Sequence, residues 1–184
     1  MKLVILDRDG VINQDRDDFV KNSLEWVALP RSLEAIALLS QAGWHVVVAT
    51  NQSGLGRGLF DMHALNAMHE KMHRLAHKAG GRIDAVFFCP HKPDSQCACR
   101  KPLPGMVLDI AERFGVRPES LPLIGDSLRD LQAVAAVGGQ PILVRTGKGD
   151  ATLAKGDLPP RTPPSALCII INIARLMTEV EQDK

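Results

Sequence analysis

Short apolar segments alternate with longer amphipathic segments along most of the chain. The apolar segments lie at 2–6, 44–50, 84–89, 121–125 and 141–144. Apolar runs of this length, bounded by turn residues, are typical of strands buried on both faces of a parallel sheet. The segments between them end at or directly before a glycine, and their helical periodicity predicts helices over 31–42, 61–79, 104–115 and 127–137.

This alternation of strand and helix predicts an α/β fold with a doubly wound, mainly parallel sheet and right-handed crossovers. A chain of 184 residues is long enough for one buried core and short for two, so we expect a single domain over 1–184. The proline-rich stretch at 156–164 predicts a surface linker. The apolar segment that completes 156–184 shows no pattern that divides it into elements.

The charges of the chain nearly balance, with 22 Lys and Arg against 21 Asp and Glu. Because no broad basic surface is expected, we predict no nucleic-acid partner, and any phosphate group must be bound locally. The apolar run within the first ten residues is too short for a signal peptide or a membrane span. The sequence therefore predicts a cytoplasmic protein without a membrane partner, and a monomer is the simplest expectation.

Polar side chains follow three of the predicted strands. Asp7 and Asp9 follow the first strand, and Asp126 follows the fourth. Because the carboxyl ends of parallel strands meet at one edge of a sheet, these three carboxylates are expected to form a site for a hard cation, with Mg²⁺ as the natural occupant. Thr50, at the end of the second strand, suits an anion at the same edge. Asp130 is expected to orient nearby loops rather than to bind the metal, or to be a carboxylate on the helix surface.

Residues 89–102, CPHKPDSQCACRKP, contain three cysteines and a histidine within eleven positions. Cysteine and histidine in this number are typical of a closed tetrahedral Zn²⁺ site, which has no open position for water. We therefore expect a structural zinc loop that stabilises a segment without a core of its own. The alternative is three free surface thiols close together. The expected ligands are Cys89, His91, Cys97 and Cys99.

The sequence HEKMH, at 69–73, matches the H-E-x-x-H pattern of zinc proteases. At 100° per residue, His69 and His73 fall away from the apolar stripe of their helix and are expected to face solvent or a flank. Alanines occupy the positions where the extended protease pattern requires Gly and His, so we reject the protease interpretation. The stripe that we expect to be buried contains Met62, Leu65, Met68, Met72, Leu75 and Ala79.

Four motifs in order resemble those of the haloacid dehalogenase-like phosphatases, over residues 1 to about 148. DRDG at 7–10 matches the first motif, Thr50 of ATNQ the second, Lys101 the third and GDSLRD at 125–130 the fourth. The resemblance implies that Asp7 is the nucleophile and that Asp9 is the general acid and base. It also implies that Asp7, the Asp9 carbonyl and Asp126 hold Mg²⁺. Thr50 and Lys101 would stabilise the transferred phosphoryl group.

Many members of this superfamily carry a cap domain, inserted either after the first motif or between the second and third. The stretch from Gly10 to the second strand has room for one helix and a short segment. The stretch from Thr50 to Lys101 has room for one helix, one strand and the zinc loop. We therefore predict that the fold has no cap domain and that the site is open.

The uncapped fold, the zinc loop before RKP, TNQSG at 50–54 and RTGKG at 145–149 resemble the D-glycero-D-manno-heptose 1,7-bisphosphate 7-phosphatase family of bacterial lipopolysaccharide-core synthesis. This resemblance implies a small phosphorylated sugar as substrate. One departure is Ser127, where some relatives have a lysine. The residues expected to contact the substrate are Asp15, Arg16, Asp17, Asp18, Asn51, Gln52, Ser53, Arg100 and Ser127.

Two other functions remain as alternatives. The short spacing of the zinc ligands and the CRKP run at 99–102 also resemble histidinol-phosphate phosphatase. A zinc loop on a catalytically idle fold would instead be a docking module. The presence of two mutually repelling carboxylates at one strand end disfavours that third possibility.

Overall fold

Five parallel strands form the centre of the structure, a computed structural model that describes residues 1–160 and Thr162. The strands are β1 (Lys2–Leu6), β2 (Trp44–Asn51), β3 (Ala85–Cys89), β4 (Pro122–Gly125) and β5 (Gln140–Leu143). They lie in the order β3-β2-β1-β4-β5, and every neighbouring pair is parallel. The predicted doubly wound α/β sheet is confirmed, with each strand boundary within one residue of the prediction. The predicted apolar segment beyond the linker lies outside the described residues.

Among the described residues, five α-helices lie between these strands, and a sixth follows β5. They are α1 (Ser32–Gln41), α2 (Ser53–Gly56), α3 (Met62–Lys78), α4 (Gly105–Phe114), α5 (Leu128–Ala135) and α6 (Gly149–Lys155). All four predicted helices are present, as α1, α3, α4 and α5. The sequence did not predict α2 and α6, because helices of four and seven residues are too short to show a 3.6-residue period.

The strands alternate their side chains between two apolar layers, as the pleat of a sheet requires. Val4 and Leu6 of β1 point into a layer that α1 and α3 cover. Leu3 and Ile5 point into a second layer that α4 and α5 cover. Residues 3–6 of β1 are buried on both faces, which explains why they form a continuous apolar run.

The apolar stripe of α3 differs at its ends from the prediction. Leu65, Met68 and Met72 are fully buried, but Met62 is 43% exposed and Ala79 is exposed. Met62 lies in the first turn and Ala79 follows the last helical residue, so both extend beyond the turns that pack against the core. Ala76 is buried instead. Leu75 is half-buried.

The described residues contain no inserted cap domain. Between Gly10 and β2 the only helix is α1, and between Thr50 and Lys101 the regular elements are α2, α3 and β3. Within these residues, no inserted domain covers the carboxyl edge of the sheet. Within the same residues, no helix is long and apolar enough to cross a membrane.

We predict that Leu39→Ala in α1 lowers the free energy of unfolding by about 2–5 kcal/mol, because Leu39 is fully buried and the change leaves a cavity. Leu24→Ala is the matched control, since Leu24 is 88% exposed and should change stability by no more than about 0.5 kcal/mol. Urea denaturation followed by circular dichroism measures both. Equal effects would contradict the assigned core.

Candidate active site

Three neighbouring strands deliver polar side chains to one edge of the sheet. Asp7 follows β1, Thr50 lies near the end of β2, and Asp126 follows β4. Because β1 lies between β2 and β4, Asp7 is central. All three side chains are almost fully buried, with 1–3% of each residue exposed. The predicted convergence of polar groups is therefore present in the structure.

The ammonium group of Lys101 lies at the centre of this edge and is fully buried. Its Nζ lies 2.9 Å from Asp7 Oδ1 and 2.7 Å from Asp130 Oδ1, and it donates a hydrogen bond of 2.6 Å to the Ala49 carbonyl. Burial lowers the pKa of Lys101, but the charges of Asp130 and Asp7 outweigh burial, so the pKa is raised. Lys101 is therefore charged.

Asp130 fixes this lysine and the start of α5. Its carboxylate accepts hydrogen bonds from the backbone N–H and the hydroxyl of Ser127, at 3.1 and 2.5 Å. Burial raises the pKa of Asp130, but the charges of Lys101 and Arg129 outweigh burial and the pKa is lowered. Asp130 thus has the orienting position that we expected, and it is buried rather than on the helix surface.

Asn51 ties the backbone of Lys101 to the end of β2. Its Nδ2 donates to the Lys101 carbonyl at 2.9 Å, and the Lys101 N–H donates to its Oδ1 at 3.1 Å. These two bonds fix the peptide of Lys101 on both sides. The Asn51 side chain therefore has a structural function besides the substrate contact that we predicted.

The carboxylate oxygens of Asp7, Asp126 and Asp130 lie within 4.8 Å of one another. Burial, together with the charge of Asp130, raises the pKa of Asp7 to about 6. Burial and the charge of Asp7 raise the pKa of Asp126 to about 7. Hard oxygen donors crowded in this way suit Mg²⁺. Asp130 is the least available ligand of the three, because besides the Lys101 ion pair that it shares with Asp7 it accepts two hydrogen bonds from Ser127.

The Asp126 carboxylate fits between two glycines. Gly10 has a φ of +83° and Gly147 a φ of +56°, and a Cβ atom on either would overlap the Asp126 carboxylate. The backbone N–H of Lys148 donates to Asp126 Oδ2 at 2.7 Å. The loops after β1 and β5 thus hold Asp126 by close backbone approach.

Asp9 has an environment opposite to that of Asp7. The fully buried Arg8 guanidinium binds its carboxylate at 3.0–3.1 Å, Asn13 Nδ2 donates at 2.8 Å and Gln52 Nε2 at 2.9 Å. Burial raises the pKa of Asp9, but the charge of Arg8 and these hydrogen bonds outweigh burial and lower it. Gln52 Nε2 also lies 2.8 Å from Thr50 Oγ1, so one amide connects Asp9 to Thr50.

The histidines of HEKMH do not form a metal site. His69 Nε2 lies 3.4 Å from Arg8 Nη1, and burial followed by the charges of Arg8 and His73 lowers the pKa of His69 to about 4. His73 and Glu70 are exposed. Among the described residues, no group of candidate metal ligands includes these histidines. The placement agrees with our rejection of the protease interpretation.

Cys89, His91, Cys97 and Cys99 converge in the loop after β3. The Sγ atom of Cys89 lies 3.8 Å from that of Cys97 and 3.5 Å from His91 Nδ1, and Cys99 Sγ lies 3.4 Å from the same nitrogen. Tetrahedral ligands with bonds of about 2.0–2.3 Å are separated by about 3.4–3.8 Å. The side chains therefore fit Zn²⁺ in a closed site, two residues before Lys101.

A cavity of about 230 Å³ adjoins Asp9. Seven of the nine residues predicted to contact substrate line it, namely Asp15, Arg16, Asp17, Asn51, Gln52, Ser53 and Arg100. The structure does not place Asp18 or Ser127 on the lining: Asp18 is exposed and paired with Arg16 and Lys21, and Ser127 caps α5. Both remain predictions as substrate contacts.

Two cations of the cavity, Arg129 and Lys148, were missed by sequence reasoning. Arg129 lies within GDSLRD and Lys148 within RTGKG, so both belong to motifs already singled out. Both basic residues are visible in these motifs, but the motif patterns assign no function to their positions. Arg8 was also missed, because its place between two aspartates does not reveal that it is buried.

Comparison with known proteins places this geometry in a family. A family model described as polynucleotide kinase 3 phosphatase matches residues 2–127, and one described as HAD-hydrolase-like matches residues 98–168. A D-glycero-beta-D-manno-heptose-1,7-bisphosphate 7-phosphatase of Bordetella bronchiseptica is 64% identical over 162 residues, which cover 88% of this chain and 90% of the relative. The chain belongs to the heptose-1,7-bisphosphate 7-phosphatase family, within the HAD-like phosphatases.

Another relative and two solved structures with similar names support this family assignment. The enzyme of the same name from Neisseria meningitidis serogroup A is 59% identical over 155 residues, 84% of this chain and 83% of the relative. The crystal structure of the B. bronchiseptica D,D-heptose 1,7-bisphosphate phosphatase, complexed with magnesium and phosphate, matches with a TM-score of 0.93 at 57% identity and covers 100% of both chains. The Burkholderia thailandensis structure matches at 0.77 and 54%, covering 97% and 99%. The predicted family resemblance is confirmed.

We predict that Gly10→Ala abolishes stabilisation of this heptose phosphatase by Mg²⁺, because the new methyl group displaces the Asp126 carboxylate. The matched control is Gly43→Ala, since Gly43 has a φ of +80° but no atom within 4 Å of the position that a methyl group would take. Both variants lose about 1 kcal/mol to backbone strain. Thermal unfolding measured with and without Mg²⁺, at about a hundredfold excess over Kd, should show a gain of about 2.7 kcal/mol in the control alone. A parental gain in Gly10→Ala would contradict this site.

We predict that Cys99→Ser removes bound zinc, lowers the melting temperature and reduces kcat/KM about tenfold or more, since Lys101 follows the loop directly. Ser95→Ala changes an exposed residue of the same loop and should keep metal, stability and activity. Metal analysis, thermal unfolding and phosphate release provide the measurements. A zinc-free protein with full activity and a normal melting temperature would overturn the structural role of the loop.

Proposed function

We propose that this protein is a Mg²⁺-dependent phosphatase that removes the 7-phosphate of D-glycero-β-D-manno-heptose 1,7-bisphosphate. The observation that carries the proposal is the buried edge at which Lys101 pairs with Asp7 beside Asp126, in a chain 64% identical to a relative with this activity in its name. The names of the relatives specify the β anomer, which we propose for this chain as well.

Asp7 is the proposed nucleophile. Its carboxylate oxygen attacks phosphorus, the bond from phosphorus to the sugar oxygen breaks, and an aspartyl-phosphate forms. Lys101, 2.9 Å from Asp7, and Thr50 stabilise the equatorial oxygens of the transferred group, which carry the charge of the transition state. Water then cleaves the acyl-phosphate, which releases phosphate and restores Asp7.

Asp9 is the proposed general acid and base. It protonates the leaving sugar oxygen in the first step and takes a proton from the attacking water in the second. Its lowered pKa, with hydrogen bonds from Arg8, Asn13 and Gln52, suits the base form. Because a nearby anion raises the pKa of a carboxyl group, a bound phosphate favours the protonation that the first step requires.

Two metal ions are proposed. Asp7, Asp126 and the backbone carbonyl of Asp9 would hold Mg²⁺, and the crowded carboxylates described above fit it. Bound Mg²⁺ reduces the electrostatic repulsion between the anionic nucleophile and the anionic phosphate. Zn²⁺ in the Cys₃His loop would be structural, since its four ligands leave no position for water.

The proposed activity also leads to proposals for the substrate, the cellular location and the partners. The cavity of about 230 Å³ is lined mostly by polar and charged side chains, which suit a small phosphorylated sugar, and Arg100 is a candidate for its recognition. We propose a cytoplasmic enzyme of lipopolysaccharide-core synthesis that acts as a monomer, without a nucleic-acid or membrane partner. The near-neutral net charge of +1 supports the absence of nucleic acid.

Histidinol-phosphate phosphatase remains the second candidate, because the zinc ligands are closely spaced and directly precede RKP. The heptose enzyme is favoured by the identities of its relatives. A docking module is disfavoured, since binding alone does not require a buried lysine between two carboxylates.

We predict that kcat/KM for the heptose bisphosphate exceeds that for histidinol phosphate by about 10² or more, equal to about 2.7 kcal/mol of differential transition-state binding. Steady-state phosphate release in Mg²⁺ measures both. Asp7→Asn should abolish the activity while the protein remains folded. A preference for histidinol phosphate would reverse the assignment, and parental activity in Asp7→Asn would exclude the aspartyl-phosphate mechanism.

A further inference from the structure

One cation of the cavity beside Asp9 has no hydrogen-bond or ion-pair partner among the described residues and no role in the chemistry above. Arg129 is the second residue of α5 and lines the cavity. Its Nε atom is buried and has no hydrogen-bond partner within the described part of the chain. A buried donor without an acceptor is rare in folded proteins, and in a substrate cavity it points to a ligand that supplies one.

The other cations of the cavity are engaged. Lys148 pairs with Asp15 at 3.0 Å, and Arg16 pairs with Asp18 at 2.9 Å. Arg100 donates to a backbone carbonyl of the zinc loop at 3.3 Å. Arg57 lies over the ring of Phe19, 5.9 Å from its centroid.

Arg129 stays charged without forming an ion pair. Burial lowers its pKa, but the charges of Asp130, Asp7, Asp126 and Asp15 outweigh burial and raise it. In the residues that the structure describes, none of these carboxylates lies within 4.0 Å of its guanidinium nitrogens. The guanidinium group is thus held in the field of four carboxylates while its donors remain available.

We propose that Arg129 binds the phosphate of the substrate that is not cleaved, the one on the first carbon of the heptose. The inference rests on the proposed function, which requires two phosphates in one site. Lys101 and Thr50 already serve the transferred phosphoryl group. The second phosphate therefore needs a separate cation facing the cavity, and the guanidinium fork suits two phosphate oxygens at once.

Ser127, where some relatives have a lysine, does not line the cavity. The hydroxyl of Ser127 is committed to Asp130 at 2.5 Å and brings no charge to the cavity. Arg129, two residues later on the first turn of α5, provides a positive charge from the same segment. The GDSLRD segment therefore contributes one cation, Arg129, to the cavity.

The test compares two substrates that differ only in the second phosphate, the heptose 1,7-bisphosphate and the heptose 7-phosphate. Arg129→Gln should raise KM and lower kcat/KM for the bisphosphate about tenfold or more, while kcat/KM for the monophosphate changes less than about twofold. Arg129→Lys should fall between Arg129→Gln and the parent for the bisphosphate, since it keeps the charge and loses the fork. Arg113→Gln, an exposed arginine of α4, is the matched control and should change neither value.

Binding without turnover separates this inference from the proposed function. Calorimetry of both sugars with Asp7→Asn, and with Asp7→Asn combined with Arg129→Gln, should show weaker binding of the bisphosphate alone in the double variant. Equal losses for both sugars would assign Arg129 to the transferred group, and no loss for either would make it a bystander; each result overturns the proposal. A parent that binds the bisphosphate but does not hydrolyse it would reject the proposed function, while the double variant still decides on Arg129. If Arg129→Gln does not fold, Arg129→Lys gives the same comparison.

Discussion

The buried ammonium group of Lys101 is the constraint on which the site depends. A charge removed from water needs compensating charges and acceptors, and here Asp7, Asp130 and the Ala49 carbonyl supply them. These partners come from β1, α5 and β2, which are distant in sequence. The burial of this charge therefore requires the sheet, α5 and the zinc loop to be folded together.

The two aspartates of DRDG lie in one short loop but have opposite electrostatic environments. Asp7 is buried among other carboxylates, so its pKa is raised to about 6. Asp9, two residues later, binds Arg8, so its pKa is lowered. Carboxylates whose environments separate their pKa values are typical of paired catalytic roles. The charge of Arg8 is the largest influence that lowers the pKa of Asp9, and His69 lies against Arg8 as a neutral imidazole.

The sheet could be predicted from the sequence because its strands are buried on both faces and bounded by turn residues. The two groups of candidate metal ligands could be predicted as well. Cys89 to Cys99 are close in sequence, and Asp7 and Asp126 follow neighbouring strands. Contacts between distant segments could not. The burial of Arg8 and the amide that connects Asp9 to Thr50 depend on packing, and α2 and α6 are too short for a periodic signal.

The zinc loop is anchored at its two ends. The candidate ligands Cys89 and His91 lie at one end and Cys97 and Cys99 at the other, whereas residues 92–96 between them are exposed and Pro93 lines the cavity beside Asp9. Residues 92–96 can therefore vary without changing a candidate zinc ligand or the backbone of Lys101. A substitution in this exposed middle can alter the wall of the cavity while the groups that position Lys101 stay in place.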